Sequence, residues 1–200
     1  MNLIEHTKKQ KAKIIFDKIL KDNVITLSPM SFRATESNNL DFTEVDFSFK
    51  SHNLEKEEHY IEKCQGLGFI DSIFNGLAEY FKSSFTSLSK IKLLDFEVNP
   101  KILGKKGTDS KVNLVYKIKV DKYGTTEFHH ESRSILHSGL ILSLNVFEFY
   151  MNCEKCFLKI NNIIDDAKNR NRSDIVQKCL YDLSIITEVN SYEKIRKTTN

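Results

Sequence analysis

A period-two run sets the tightest limit on how this chain can fold. Val112, Leu114, Tyr116, Ile118 and Val120 place an apolar side chain at every second position. That spacing gathers them on one face of an extended strand and sends the residues between them to the other. The run has neighbours of the same kind. Leu94, Phe96 and Val98 alternate before it, and Thr126 to Glu131 reads as a strand after it. Ser132 or Ser134 can then cap a helix running from Ile135 toward Asn152. The same order occurs upstream. Ser31 to Thr35 and His59 to Cys64 are strand candidates on either side of Thr43 to Ser51, where Val45, Phe47 and Phe49 share a face. A helix follows, with Ile70, Ile73, Phe74, Leu77, Ala78 and Phe81 in one stripe.

The chain therefore carries βββα twice, with helix starts about 66 positions apart. The expected fold class is α+β: two βββα units that pair their apolar sheet faces and bury both helices, forming a layered domain with additional N- and C-terminal helices. The division expected is 1–26 for an N-terminal helix and linker, 27–152 for the layered domain, and 153–200 for a helical extension and tail. Lys8 to Leu20 forms the first helix, with Ala12, Ile15, Phe16, Ile19 and Leu20 on its apolar face and its lysines in solvent. Pro100 is expected to close the strand begun at Ile91. Gly104 to Gly107 and Lys122-Tyr123-Gly124 read as turns. Helices from Cys153 to Ala167 and from Ser173 to Ile186, parted by Asn169 to Arg172, precede a frayed tail from Asn190 to Asn200.

Charge and length narrow the function. Thirty Lys and Arg against 27 Asp and Glu leave a net charge of +3, too small to imply a nucleic-acid partner. The most apolar stretch, Leu140 to Met151, is interrupted by Ser143, Asn145 and Glu148, so it reads as a buried helix and not as a membrane span. The N-terminus has no apolar run of the signal-peptide kind. Four cysteines without an export signal read as reduced thiols, and a cytoplasmic location is expected. A catalytic (β/α)8 barrel needs roughly 250 residues and does not fit in 200.

Few residues suggest chemistry. Cys153 and Cys156 form a lone CxxC that fits the apolar face of a helix, and no cofactor or metal is expected. His129 and His130 are adjacent in a strand and point to opposite faces. Lys101, Lys105, Lys106 and Lys111 read as a solvated loop. There is no GxSxG, HExxH or P-loop sequence, and the chain reads as non-enzymatic. Gly66-Leu67-Gly68, at a strand-to-helix junction, is the best local candidate. Its backbone amides and the helix N-terminus suit a carboxylate, and Asp71 suits an ammonium group, which together would hold a free amino acid. The same residues also suit a tight turn followed by an acidic residue that favours the helix dipole.

Taken in order, these segments resemble a known family. Leu27-Ser-Pro-Met-Ser-Phe32 leads into a strand, and Gly66-x-Gly68-x-Ile70-Asp71 starts a helix. Leu94-Asp95-Phe96-Glu97-Val98 follows, then Gly-Lys-Lys-Gly-Thr108-Asp109, and Ser132-x-Ser134-Ile135-Leu136 starts the second helix. The stretch from Leu27 to Asn152 resembles the C-terminal regulatory domain of 2-isopropylmalate synthase and citramalate synthase. The resemblance implies a homodimer that binds leucine or isoleucine and controls a catalytic barrel, here one carried by a separate synthase subunit. It places the effector on Gly66, Leu67, Gly68, Phe69, Ile70, Asp71, Asp95 and Phe96. In the family, Asn and Pro usually stand where this chain has Leu67 and Phe69, and Tyr where it has Phe96. The other reading of the same fold is a dimerisation or scaffold protein with a degenerate effector pocket.

Overall fold

The computed structural model describes residues 3–36, 41–101, 111–120 and 125–188, with the backbone alone described at residues 3–6 and 101. The turns expected at Gly104 to Gly107 and at Lys122 to Gly124, most of the lysine loop, and the tail from Asn190 lie outside the described residues. The element order is α1 (Leu3–Leu20), β1 (Thr26–Glu36), β2 (Thr43–His52), β3 (Glu58–Gly66), α2 (Phe69–Phe81), β4 (Ile91–Lys101), β5 (Lys111–Val120), β6 (Thr125–Ser132), α3 (Ile135–Asn169) and α4 (Ser173–Thr187). Two short 3-10 turns, Lys21–Asn23 and Thr86–Lys90, precede β1 and β4.

The fold is α+β, with two antiparallel sheets ordered β1-β2-β3 and β4-β5-β6, each followed by a helix. The central strands carry the alternation seen in the sequence. Val45, Phe47 and Phe49 of β2 and Leu114, Tyr116, Ile118 and Val120 of β5 are buried. β1 is longer than its sequence pattern indicates, and β4 ends within one residue of its expected stop. β1 begins at Thr26 and includes Pro29, opposite Phe49, with a bulge between Pro29 and Ser31. β4 continues past Pro100, which stands opposite Val112. Both prolines lie in edge strands, where a residue without an N–H need not break the ladder.

The layers differ from the expected arrangement in one respect. The sheets do not pair their apolar faces directly. α2 packs on β2 and β3, and α3 packs on β1, β5 and β6, so the sheets meet through the helices. The two helices join where Phe74 of α2 meets Phe147 of α3 edge-on, with ring centroids 5.0 Å apart.

α3 is one unbroken helix of 35 residues, roughly 52 Å at 1.5 Å per residue. The division expected between Asn152 and Cys153 therefore falls inside a helix. Ser134 starts it by accepting the His137 N–H at 3.2 Å. From Leu140 to Asn169 the sequence has neither Gly nor Pro to stop it. Met151, Asn152 and Cys153 are all buried, so packing continues across the expected boundary.

Polar side chains on α3 fasten the start of the first sheet. Asn152 accepts the Ile25 N–H and donates to the Ile25 carbonyl, each at 2.8 Å, as a neighbouring strand would. Glu148 accepts the Leu27 N–H at 2.8 Å, and Lys155 donates to the Asn23 carbonyl at 2.9 Å. These residues are spaced i, i+4 and i+7, which aligns them on one side of the helix. One turn over, the buried Glu154 accepts the N–H groups of Thr86 and Ser87, starting the 3-10 turn before β4. α4 packs on α3, and its Asp182 pairs with Lys18 of α1 at 2.6 Å.

Candidate functional site

The glycine turn joins β3 to α2. Gly66 is required there, because a Cβ would sit 2.6 Å from both Asp71 Oδ2 and the Ser72 nitrogen. Gly68 is extended, with φ −169, and a Cβ would meet open space. The turn's polar groups bond mainly to each other. The Leu67 N–H donates to Asp71 Oδ2 at 3.0 Å, and the Asn75 amide donates to the same oxygen at 3.3 Å. Ser72 Oγ donates to the Thr43 and Gly68 carbonyls. Asp71 thus serves as an acceptor for its own helix N-terminus, where a carboxylate also favours the dipole.

The expected apolar wall is part of the core. Phe69 and Ile70 are 7% and 8% exposed. The Phe69 ring meets Phe32 of β1 edge-on at 5.1 Å. Beside them lies Gly139 of α3, where a Cβ would come within 3.3 Å of Ile70 and 3.5 Å of Phe69. Leu67, by contrast, is 89% exposed.

Asp95 and Phe96 stand on β4, the edge strand of the other sheet. The Asp95 carboxylate is 3.7 Å from Lys117 Nζ. Phe96 and Val98 lie opposite Tyr116 and Leu114 and so share the core face of the second sheet. They are nevertheless exposed, as is Leu94 at the bulge, because α3 covers β5 and β6 but does not reach along β4. The structure therefore gathers Gly66 to Asp71 in one turn and places Asp95 and Phe96 on an open apolar edge.

One side-chain cluster has no signature in the sequence. His59 on β3 bonds Ser51 of β2 through Nε2 at 2.8 Å and Tyr80 of α2 through Nδ1 at 2.9 Å. Its ring stacks on Phe49 at 4.6 Å. Ser51 Oγ donates to the Lys56 carbonyl at 2.7 Å, so its proton is committed. His59 Nε2–H then donates to Ser51, and Nδ1 accepts from the Tyr80 hydroxyl. A serine activated by histidine needs the reverse polarity. The trio is a satisfied network around a buried histidine, and burial pushes the His59 pKa down.

Two clefts flank the segment that α3 holds. The larger, about 570 Å³, lies among α1, β6 and α3 and is lined by residues that include Lys13, Phe16, Phe128, Asn145 and Glu148. The smaller, about 480 Å³, is lined by residues that include Ile25, His59, Tyr80, Phe85 and Lys155. Sequence periodicity marked the apolar face of α1 but could not show that its polar side would roof a cleft. Cys153 and Cys156 are core residues; burial pushes the Cys156 thiol up to about 12. Among the described residues, no group of His, Cys, Asp and Glu could hold a metal ion, and no helix is long and apolar enough to cross a membrane. Compared with known proteins, the chain matches no family model, and no curated protein matches it significantly.

Proposed function

We propose that this chain is a stand-alone regulatory and dimerisation module of the 2-isopropylmalate or citramalate synthase type. It works in the cytoplasm without a cofactor and controls a catalytic barrel on another polypeptide. The observation that carries this reading is the tandem βββα architecture, with α3 shared between the two sheets and the apolar residues Leu94, Phe96 and Val98 of β4 exposed. A second copy of the chain covers Leu94, Phe96 and Val98. Leucine or isoleucine binds at the turn from Gly66 to Asp71, with Asp95 and Phe96 brought to it in the assembled dimer.

One observation favours a second reading. Phe69 is packed against Phe32, and Asp71 is taken up by its own helix. On that reading the effector pocket is degenerate and the chain is a dimerisation scaffold.

Light scattering and calorimetry on the full chain test both. The first reading expects a dimer, broken by Phe96→Lys, and saturable heat with leucine or isoleucine. A dimer that takes up neither amino acid leaves the scaffold reading. A monomer at all concentrations overturns both.

A further inference from the structure

We infer that the cleft among α1, β6 and α3 binds a small zwitterion with an apolar body, the chemical class of an amino acid with a large apolar side chain. The inference is independent of the glycine turn, since α1 lies outside the region that resembles the synthase domain. The volume of about 570 Å³ falls in the range of small-molecule sites. Phe16, Phe128 and Phe149 give it aromatic walls. Polar groups on opposite sides give it direction.

Glu148 stands on the α3 side. One of its oxygens accepts the Leu27 N–H. Burial pushes its carboxyl pKa up, while that hydrogen bond and the charge of Lys13 hold it down. A carboxylate desolvated in this way is stabilised by an arriving ammonium group. Asn145, one turn earlier on α3, lines the cleft with no hydrogen-bond partner for its amide among the described residues. Its carbonyl can accept from the same ammonium. Lys13 stands on the α1 side and presents a cation to a ligand carboxylate.

Lys9 is already engaged. Its ammonium lies 4.3 Å from the centre of the Phe128 ring and donates to the Glu127 carbonyl. The lining pairs two lysines with Asp17 and Glu148, and burial pushes the His129 pKa down, which favours its neutral ring. Lys9, Lys13 and Asp17 stand on α1 and Glu148 on α3, so a ligand meets both signs of charge beside aromatic walls, which suits a zwitterion better than a simple anion or cation.

Calorimetry on the full chain tests this with L-phenylalanine, L-tryptophan and L-leucine as probes. Phenethylamine and 3-phenylpropanoate, which lack the carboxylate and the ammonium, are the half-ligands. At least one amino acid is expected to bind about tenfold or more tighter than the matching half-ligands, as two charge-assisted contacts require. Glu148→Gln and Lys13→Gln should each weaken binding about tenfold. Gln at 148 can still accept the Leu27 N–H, so the fold is retained. Asn145→Leu, which breaks no bond in the structure, should block binding, and an unchanged melting temperature confirms that it folds.

No saturable binding by any of the three amino acids overturns the inference and leaves the dimerisation reading standing. Binding that survives all three substitutions also overturns it. Binding lost instead in Asp71→Asn places the ligand at the turn, which supports the effector reading and overturns this one.

Discussion

The two βββα units share a strand pattern and differ in the helix that follows it. α2 stops after 13 residues, where Lys82-Ser83-Ser84 ends the stripe and Phe85 folds back toward the core. α3 runs for 35. The short helix serves its own sheet. The long one covers its own sheet, reaches β1 of the other, and holds the segments that lead into β1 and β4. Edge coverage differs accordingly: β1 has α3 against it, whereas Leu94, Phe96 and Val98 of β4 are exposed among the described residues. Similar strand patterns thus produce one unit that is supported and one that does the supporting.

With the work divided in this way, the joint between the helices matters most. Phe147 is fully buried and meets Phe74 there. Phe147→Ala is expected to cost about 3–5 kcal/mol and to lower the stability of both units together. Urea unfolding followed separately by probes in each sheet will show it. Two separate transitions in the wild-type chain would instead mean that the units are independent.

A smaller effect distinguishes the two helix glycines. A Cβ on Gly76 of α2 would lie 2.3 Å from the buried Cys64 sulfur. A Cβ on Gly139 of α3 has no contact closer than 3.3 Å. Gly76→Ala should therefore cost about 1–3 kcal/mol through overpacking. At Gly139 the gain in helix propensity, about 1 kcal/mol, offsets a tight fit and leaves stability nearly unchanged. Thermal melts of the two variants give the order, and equal losses would remove the distinction.

The smallest effect concerns pH. His59 of the first unit is almost fully buried, and its pKa lies below the ordinary histidine value with burial as the main cause. The unfolded chain therefore takes up this proton more readily than the folded one. The contribution of His59 is complete above about pH 6.5 and is lost as pH falls toward its folded value. NMR titration of the histidine ring protons should find the His59 midpoint below that of a free histidine. A midpoint at or above the free value would contradict the tautomer and the network assigned to it.

Much of the architecture was legible in the sequence. Alternation located the central strands, since β2 and β5 bury one face each. It undercounted β1, where Pro29 and the bulge before Ser31 interrupt the alternation. The break expected after Asn152 parted a helix running toward Asn152 from another beginning at Cys153. The Asn152 amide instead replaces a missing strand partner for Ile25, a long-range role that local periodicity does not contain. The glycine turn was located correctly, and the tight-turn alternative with Asp71 in the first helical turn foresaw part of its contents. Nothing in the spacing shows that Asp71 folds back on Leu67 or that Phe69 packs on Phe32. His59 went unremarked for a similar reason, since Ser51 and Tyr80 reach it only once the sheet and α2 are assembled.

The fastening of β1 by α3 has a consequence in time. The bonds from Ile25, Leu27 and Asn23 to Asn152, Glu148 and Lys155 span 127, 121 and 132 positions of the chain. During synthesis β1 and β2 are available to pair early, but the partners that hold the start of β1 emerge from the ribosome more than a hundred residues later. Contacts this distant in sequence slow folding and raise the contact order of the whole domain. The first sheet is therefore made well before the helix that locks it, so the nascent chain presents an unfinished strand edge until α3 has emerged.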